Sequence, residues 1–365
     1  MIVPFIIALL IFAVYQFLQH PKFGKVASGE RLEEIKKSPH YKNGKFENLS
    51  HTPDIVEGVS YYRVIKDFFF AKSKRNIPDV LLPSQKTDLL NLPPGKNVIV
   101  WFGHSSYFIQ VDGKKILVDP VFSGNASPVK FTTKSFKGAD VYGVDDLSEI
   151  DYLFISHDHW DHLDYLTITE LKPKVKKVIT GLGVGAHLEH WGYGKDSIVE
   201  KDWNHEIALD PGFVVYTAPT RHFSGRLFKR GQSIWSSFVL KTPSMKIYLG
   251  GDSGYDTHFA EIGKKHGPID LAILECGQYH EYWRYIHMLP DEVVKAAVDL
   301  KAKKLFPVHW SKFSLAIHAW DDPINEVLRA NAQYNIPLLH PMIGEMVDLN
   351  GDFVHQRWWE NIPKQ

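Results

Sequence analysis

Seven consecutive residues, Ser156-His157-Asp158-His159-Trp160-Asp161-His162, place three imidazoles and two carboxylates directly behind the apolar run at 152–155. A short aromatic and β-branched run that ends in such a cluster reads as a buried strand delivering a loop to a sheet edge. On that loop, alternation sends His157 and His159 to one side, while Asp161 and His162 can turn toward a second centre beside the first. Imidazole nitrogen and carboxylate oxygen suit Zn²⁺, and four such ligands within six residues are not the product of a solvated surface. The single cysteine can neither close an intramolecular disulfide nor build a Cys-type zinc site, so His and carboxylate must hold any metal.

Four ligands on one loop cannot complete two coordination spheres, which predicts further ligands at later strand ends. Three places supply them: His222 in Thr220-Arg221-His222-Phe223, Asp252 in Gly250-Gly251-Asp252-Ser253, and His309 in Pro307-Val308-His309-Trp310. Each polar residue follows an apolar run, and glycine lets the backbone turn inward at two of them. Strands are expected near 98–102, 107–111, 116–118, 152–155, 177–180, 213–217, 237–241, 246–249, 271–274 and 305–308, with Asp112-Gly113 as a hairpin turn. Helices are expected near 164–172, 256–265, 290–301 and 322–334. Hairpins come first and helical crossovers later, so two sheets with helices outside are expected rather than a doubly wound sheet.

The ends of the chain read differently. Ile2–Leu18 carries no charge over seventeen residues and, as a helix, is about 26 Å long, which suggests an N-terminal membrane anchor. Lys22, Lys25 and Arg31 follow it, which places the catalytic domain on the cytoplasmic side. Residues 20–95 form a polar extension containing the aromatic segment Tyr61–Phe70, in which Tyr61, Ile65, Phe68 and Phe69 can share a face. That face either packs on the main domain or, with Lys66, Lys72, Lys74 and Arg75, meets a membrane surface or a homodimer partner. The organisation expected is an anchor at 1–19, the extension at 20–95, a hydrolase domain at 96–350 and a tail at 351–365. Forty-two basic against 42 acidic residues leave no electrostatic footprint for nucleic acid.

His-x-His-x-Asp-His, then a later His, a later Asp and a final His, resembles the metallo-β-lactamase superfamily. Trp101-Phe102-Gly103-His104-Ser105-Ser106, Leu117-Val118-Asp119-Pro120, His222-Phe223-Ser224-Gly225-Arg226, Gly251-Asp252-Ser253-Gly254-Tyr255 and His287-Met288-Leu289-Pro290 resemble its branch of N-acylphosphatidylethanolamine phospholipase D and bacterial relatives. The resemblance runs from about residue 90 to 345 and implies an α+β fold, a four-layer αββα sandwich with metals at one edge. It implies two Zn²⁺ per chain, with Mn²⁺ or Fe²⁺ left open: His157, His159 and His222 on one, Asp161, His162 and His309 on the other, and Asp252 between them. Catalysis would fall to Asp161, Asp252 and His287, the last touching substrate. Asp119 would either orient a ligand imidazole or cap a turn, while Arg226, Tyr279, Tyr282 and Trp283 could line the mouth.

The function so implied is a membrane-associated dinuclear zinc hydrolase. It would cleave the phosphodiester of an (N-acyl) glycerophospholipid in phospholipase D fashion, using hydroxide shared by the metals. The runner-up is a lactonase or other carbonyl-ester metallohydrolase of the same fold. A membrane scaffold with structural metals is disfavoured, since a structural zinc site is closed by four ligands and needs no shared pair.

Overall fold

The structure is a computed structural model describing residues 2–226, 228–351 and 356–362. Met1 of the expected anchor and residues 352–355 and 363–365 of the expected tail at 351–365 lie outside the described residues. Chain order begins with the helices α1 (Ile2–Leu18) and α2 (Gly29–Lys36), a short hairpin of β1 (Tyr41–Lys42) and β2 (Lys45–Phe46), and α3 (Tyr61–Phe70). The first large sheet then runs through β3 (Val98–Trp101), β4 (Tyr107–Val111), β5 (Lys114–Val118), β6 (Ile150–Ile155), α4 (Tyr165–Leu171), β7 (Val175–Gly181), α5 (Gly185–His190) and β8 (Ile198–Lys201). The second follows as β9 (Glu206–Ala208), β10 (Val214–Pro219), β11 (Ser236–Lys241), β12 (Lys246–Leu249), α6 (His258–His266), β13 (Leu271–Glu275), α7 (Pro290–Asp299) and β14 (Leu305–Val308). After α8 (Asp322–Asn331), β15 (Met346–Asp348) returns to the edge of the first sheet beside β3.

Strand order is β15-β3-β4-β5-β6-β7-β8 in one sheet and β14-β13-β12-β11-β10-β9 in the other. Hairpin neighbours pair antiparallel, whereas β5 to β8 and β12 to β14 pair parallel because helices or long crossovers intervene. The period-two rule assigns the layers. Ile99, Trp101, Ile109, Ile116 and Phe154 face the second sheet's Val215, Phe238 and Leu240, while Val100, Phe108, Leu117, Leu153 and Ile155 face Ile168, Leu171 and Leu188 of the helices outside. Phe259, Ile262, Val293, Val294 and Val327 of α6, α7 and α8 cover the other side. The result is an αββα sandwich, with Phe154 and Phe238 packed edge to face across its middle at 5.2 Å.

The N-terminal expectations need correction. Ile2–Leu18 does form the helix that its apolar run predicts. No helix among the described residues, however, is long and apolar enough to cross a membrane: seventeen residues rising 1.5 Å each fall short of the roughly 30 Å hydrocarbon core. The transmembrane anchor, and the membrane and cytoplasmic-side placement derived from it, are overturned. In α3 the face of Tyr61, Ile65 and Phe69 is exposed, and the helix instead turns Val64, Asp67 and Phe68 inward. Its polar contact to the domain is Tyr282, whose hydroxyl donates to Asp67 at 2.6 Å.

Residues 20–60 lie on the sandwich rather than beside it. Ile35 of α2 and Phe46 of β2 are buried with Trp203, Ile234 and Trp235 in a separate apolar cluster. Because β5, β6, β10, β12 and β14 all end at one edge, the residues just past them meet there: Asp119, His157 to His162, His222, Asp252 and His309. Ligands gather outside the carboxyl ends of strands because the loops there carry chemistry while the strands stay packed.

Candidate metal centre

The backbone at this edge is bent to bring side chains together. His104, Asp119 and His309 all hold positive φ, at 52°, 40° and 71°, a conformation that non-glycine residues adopt mainly where surrounding structure imposes it. Gly251, at φ 62°, precedes Asp252 where a Cβ would sit 2.9 Å from that of Ser156, so only glycine lets the two loops approach.

The seven residues expected as ligands come together here in two convergent sets. In the first, His159 Nδ1 lies 2.9 Å from His157 Nε2 and 3.2 Å from His222 Nε2. In the second, Asp161, His162 and His309 converge, joined by His104. Asp252 stands between them: its Oδ2 is 3.1 Å from His162 Nε2 and 3.8 Å from both His157 Nε2 and His222 Nε2, and its Oδ1 is 3.3 Å from His309 Nδ1.

The donor chemistry fits a cation. Ile286 O can only accept, so His222 Nδ1 at 2.9 Å carries the proton and Nε2 presents a lone pair. The Asp119 carboxylate likewise takes the proton of His162 Nδ1 at 2.8 Å and that of Ser156 Oγ at 2.5 Å. Ser156 Oγ is thereby free to accept from His157 Nδ1 at 3.0 Å. Three Nε2 lone pairs are thus aimed inward by partners on the far side of each ring, the arrangement by which metal-ligating imidazoles are oriented. His162 Nε2, His309 Nε2 and Asp252 Oδ1 are buried with no hydrogen-bond partner among the described residues, which a protein avoids unless something else satisfies them. Burial holds the His157, His159, His222 and His309 imidazoles below their usual range, whereas at His162 burial is outweighed by the Asp252 and Asp161 carboxylates, which hold that imidazole well above it, a proton that a bound cation would displace. Burial pushes the Asp252 carboxyl up, but the adjoining imidazoles, His162 foremost, outweigh it and hold the group well below the usual carboxylate range.

Of the two roles open to Asp119, orientation of a ligand is the one its bonds describe. His287 stacks on His309 at 5.3 Å and meets His222 edge-on at 5.1 Å, so it flanks both sets. Arg226 is not at a mouth: it is buried, donates to Asp158 O and Leu163 O at 2.9 and 2.6 Å, and sets its guanidinium carbon over the Trp160 ring, 3.9 Å from the centroid. Tyr279 stacks on His318, and Trp283 donates to Gln278 O, so both are engaged in packing.

Several residues of the site were given no role by the sequence. His104 Nε2 donates to Asp161 Oδ2 at 2.9 Å, and its ring lies 4.0 Å from that of His309; its position just past β3 was the available clue. Asp158 accepts from Gly225 N at 2.6 Å, Ser233 Oγ at 2.9 Å and His187 Nε2 at 3.2 Å, tying the ligand loop to its neighbours. His187 in turn accepts Lys25 N at 3.0 Å, and Gly24 passes so close that a Cβ there would meet His187 Nδ1 at 2.0 Å. From the same extension Asn48 grips the backbone of His222, donating to its O at 2.7 Å and accepting its N–H at 3.1 Å. A cavity of about 610 Å³ opens between this extension and His222, bordered by Lys45, His51, Phe223, Arg230 and Trp235.

Comparison with known proteins places this geometry. The beta-lactamase superfamily domain matches residues 114–310, more than half of the chain. An uncharacterized protein of Mycobacterium tuberculosis is 35% identical over 326 residues, 88% of this chain and 87% of that one. The N-acyl-phosphatidylethanolamine-hydrolyzing phospholipase D 1 of Caenorhabditis elegans is 28% identical over 259 residues, 64% of this chain and 72% of its own. Among solved structures, the metallo hydrolase Igni18 of Ignicoccus hospitalis shares the fold with a TM-score of 0.54 at 21% identity, covering 69% of this chain and 97% of that one. Ligand order, sandwich and relatives agree, and the chain belongs to the metallo-β-lactamase superfamily as a metal-dependent hydrolase of the branch that resembles N-acylphosphatidylethanolamine phospholipase D.

Proposed function

We propose that the chain hydrolyses the phosphodiester of a glycerophospholipid, N-acylated phosphatidylethanolamine being the first candidate, at two zinc ions. His157, His159 and His222 would hold one, Asp161, His162 and His309 the other, and Asp252 would be shared. The observation that carries this reading is the division of buried, inward-facing donor atoms into two sets around one carboxylate. When bound, such a pair lowers the pKa of water toward neutrality and takes up negative charge developing on a phosphoryl oxygen.

The chain's own residues supply the rest. Asp119, Ser156 and Ile286 O fix the ring tautomers, so no reorganisation is needed when substrate arrives. His287, its side chain 13% exposed, would contact the substrate beside the ligands through its remaining ring nitrogen. Lys45 and Arg230 border the adjacent cavity and would draw an anionic head group toward it. The phospholipase D relatives support the phosphodiester over a carbonyl ester.

The test is mass spectrometry of products from N-acylphosphatidylethanolamine and plain phosphatidylethanolamine in mixed micelles, with the Asp252→Ala protein as control. Phosphatidic acid with the released amide or ethanolamine is expected from the native chain alone. Free fatty acid without phosphatidic acid, or rapid lactone opening with no lipid turnover, would instead establish the carbonyl-ester reading.

A further inference from the structure

Glu275 closes β13 in the core of the second sheet with its side chain fully buried. One carboxylate oxygen, Oε1, accepts Met288 N at 2.8 Å. The other, Oε2, has no hydrogen-bond partner among the described residues, and 3.5 Å from it lies His287 Nδ1, which is also buried and also unpartnered among them. Two buried polar atoms of opposite character that face each other, each lacking another partner, form a bond waiting on a small rotation of the imidazole, since leaving both unmet is costly. Because Nδ1 is buried, the exposure that His287 retains belongs to the rest of its ring, on the side of the ligand sets.

We propose that Glu275 is a positioning residue: its carboxylate accepts the Nδ1 proton of His287 and turns the opposite edge of the ring toward the substrate. The inference rests on the substrate contact assigned to His287 above. Oε1 is held by the Met288 backbone, one residue beyond His287, so the same carboxylate fixes both where the His287 loop sits and how its ring is rotated. None of the seven expected ligands makes the contact, although a ring nitrogen of His309 lies within 4.8 Å of both groups. Glu275 therefore acts on turnover through His287 and not through metal content.

The test is a double-mutant cycle on the zinc-loaded full chain, with bis(4-nitrophenyl) phosphate and N-acylphosphatidylethanolamine as probes. Burial pushes the Glu275 carboxyl up to about 7, so assays are run at mildly alkaline pH where it is ionised. Glu275→Ala should lower kcat roughly tenfold or more, the usual scale for loss of an orienting partner, with zinc content unchanged. Glu275→Gln has one acceptor oxygen for two donors, the His287 Nδ1 proton and Met288 N–H, so it should recover only part of that loss. In the His287→Ala background, Glu275→Ala should have almost no further effect. An equal loss with and without His287, or loss of zinc in Glu275→Ala, would overturn the inference. If His287→Ala leaves turnover unchanged, the substrate contact of His287 fails, and imidazole ¹⁵N shifts decide the rest. A His287 ring protonated on Nδ1 in the native chain and released in Glu275→Ala upholds the contact, and identical spectra refute it.

Discussion

Replacing Asp119 by Asn tests whether the ligand rings owe their orientation to one carboxylate. Asp119 accepts three bonds: Ser156 N at 2.8 Å on Oδ1, and Ser156 Oγ at 2.5 Å and His162 Nδ1 at 2.8 Å on Oδ2. An amide of the same shape can be fitted two ways, and both fail. With its NH₂ toward His162, two donors face each other at the ring; with the NH₂ toward Ser156, two donors face each other at the backbone. Relief in the first case requires His162 to move its proton to Nε2, which lies 3.1 Å from Asp252, and so to give up the lone pair aimed at the metal. An unsatisfied buried donor costs about 1–3 kcal/mol, and loss of an orienting partner typically weakens metal affinity about 10- to 100-fold, or about 1.4–2.7 kcal/mol. The assay is competition against a graded series of zinc chelators, with zinc read by elemental analysis and folding by circular dichroism. Asp119→Asn should stay folded, lose zinc at weaker chelators than the native chain, and regain activity in excess zinc. Equal retention across the series would refute the orienting role.

Two further predictions follow from the same framework. Asn48→Ala removes both bonds to the His222 backbone and an acceptor for Trp235 Nε1, so the site holding His222 should release metal at weaker chelators; unchanged retention of both metals would show that the extension only covers the domain. Phe154→Ala empties the centre of the sandwich, and urea titration should show about 3–5 kcal/mol of lost stability, whereas a loss below about 1 kcal/mol would mean the inter-sheet core collapses onto the gap.

Much of the site was legible in the sequence because its ligands follow strands whose apolar runs are unambiguous. A ligand placed one to five residues past such a run emerges at a sheet edge, so His157, His222, Asp252 and His309 could be assigned to one edge before any contact was known. The elements that escaped reading are those without a strong period. The strand β8 has no fully buried residue and β9 is three residues long, while α5 is a six-residue helix whose polar His187 is buried by its neighbours. The apolar segment at Ile2–Leu18 shows the limit from the other side, since its composition correctly specified a helix while its length decided against a membrane span.

What the sequence determined by itself was therefore local: which runs are strands, which turns bend, and which residue types can bind a cation. Tertiary structure decided everything that depends on a neighbour distant in the chain. Only the folded chain sets Asp119 against a ring 43 residues away, Asn48 against His222 at a separation of 174, and His187 against the ligand loop. Such pairings leave no trace in local periodicity, because a hydrogen bond constrains two positions in space and imposes no pattern on the residues between them.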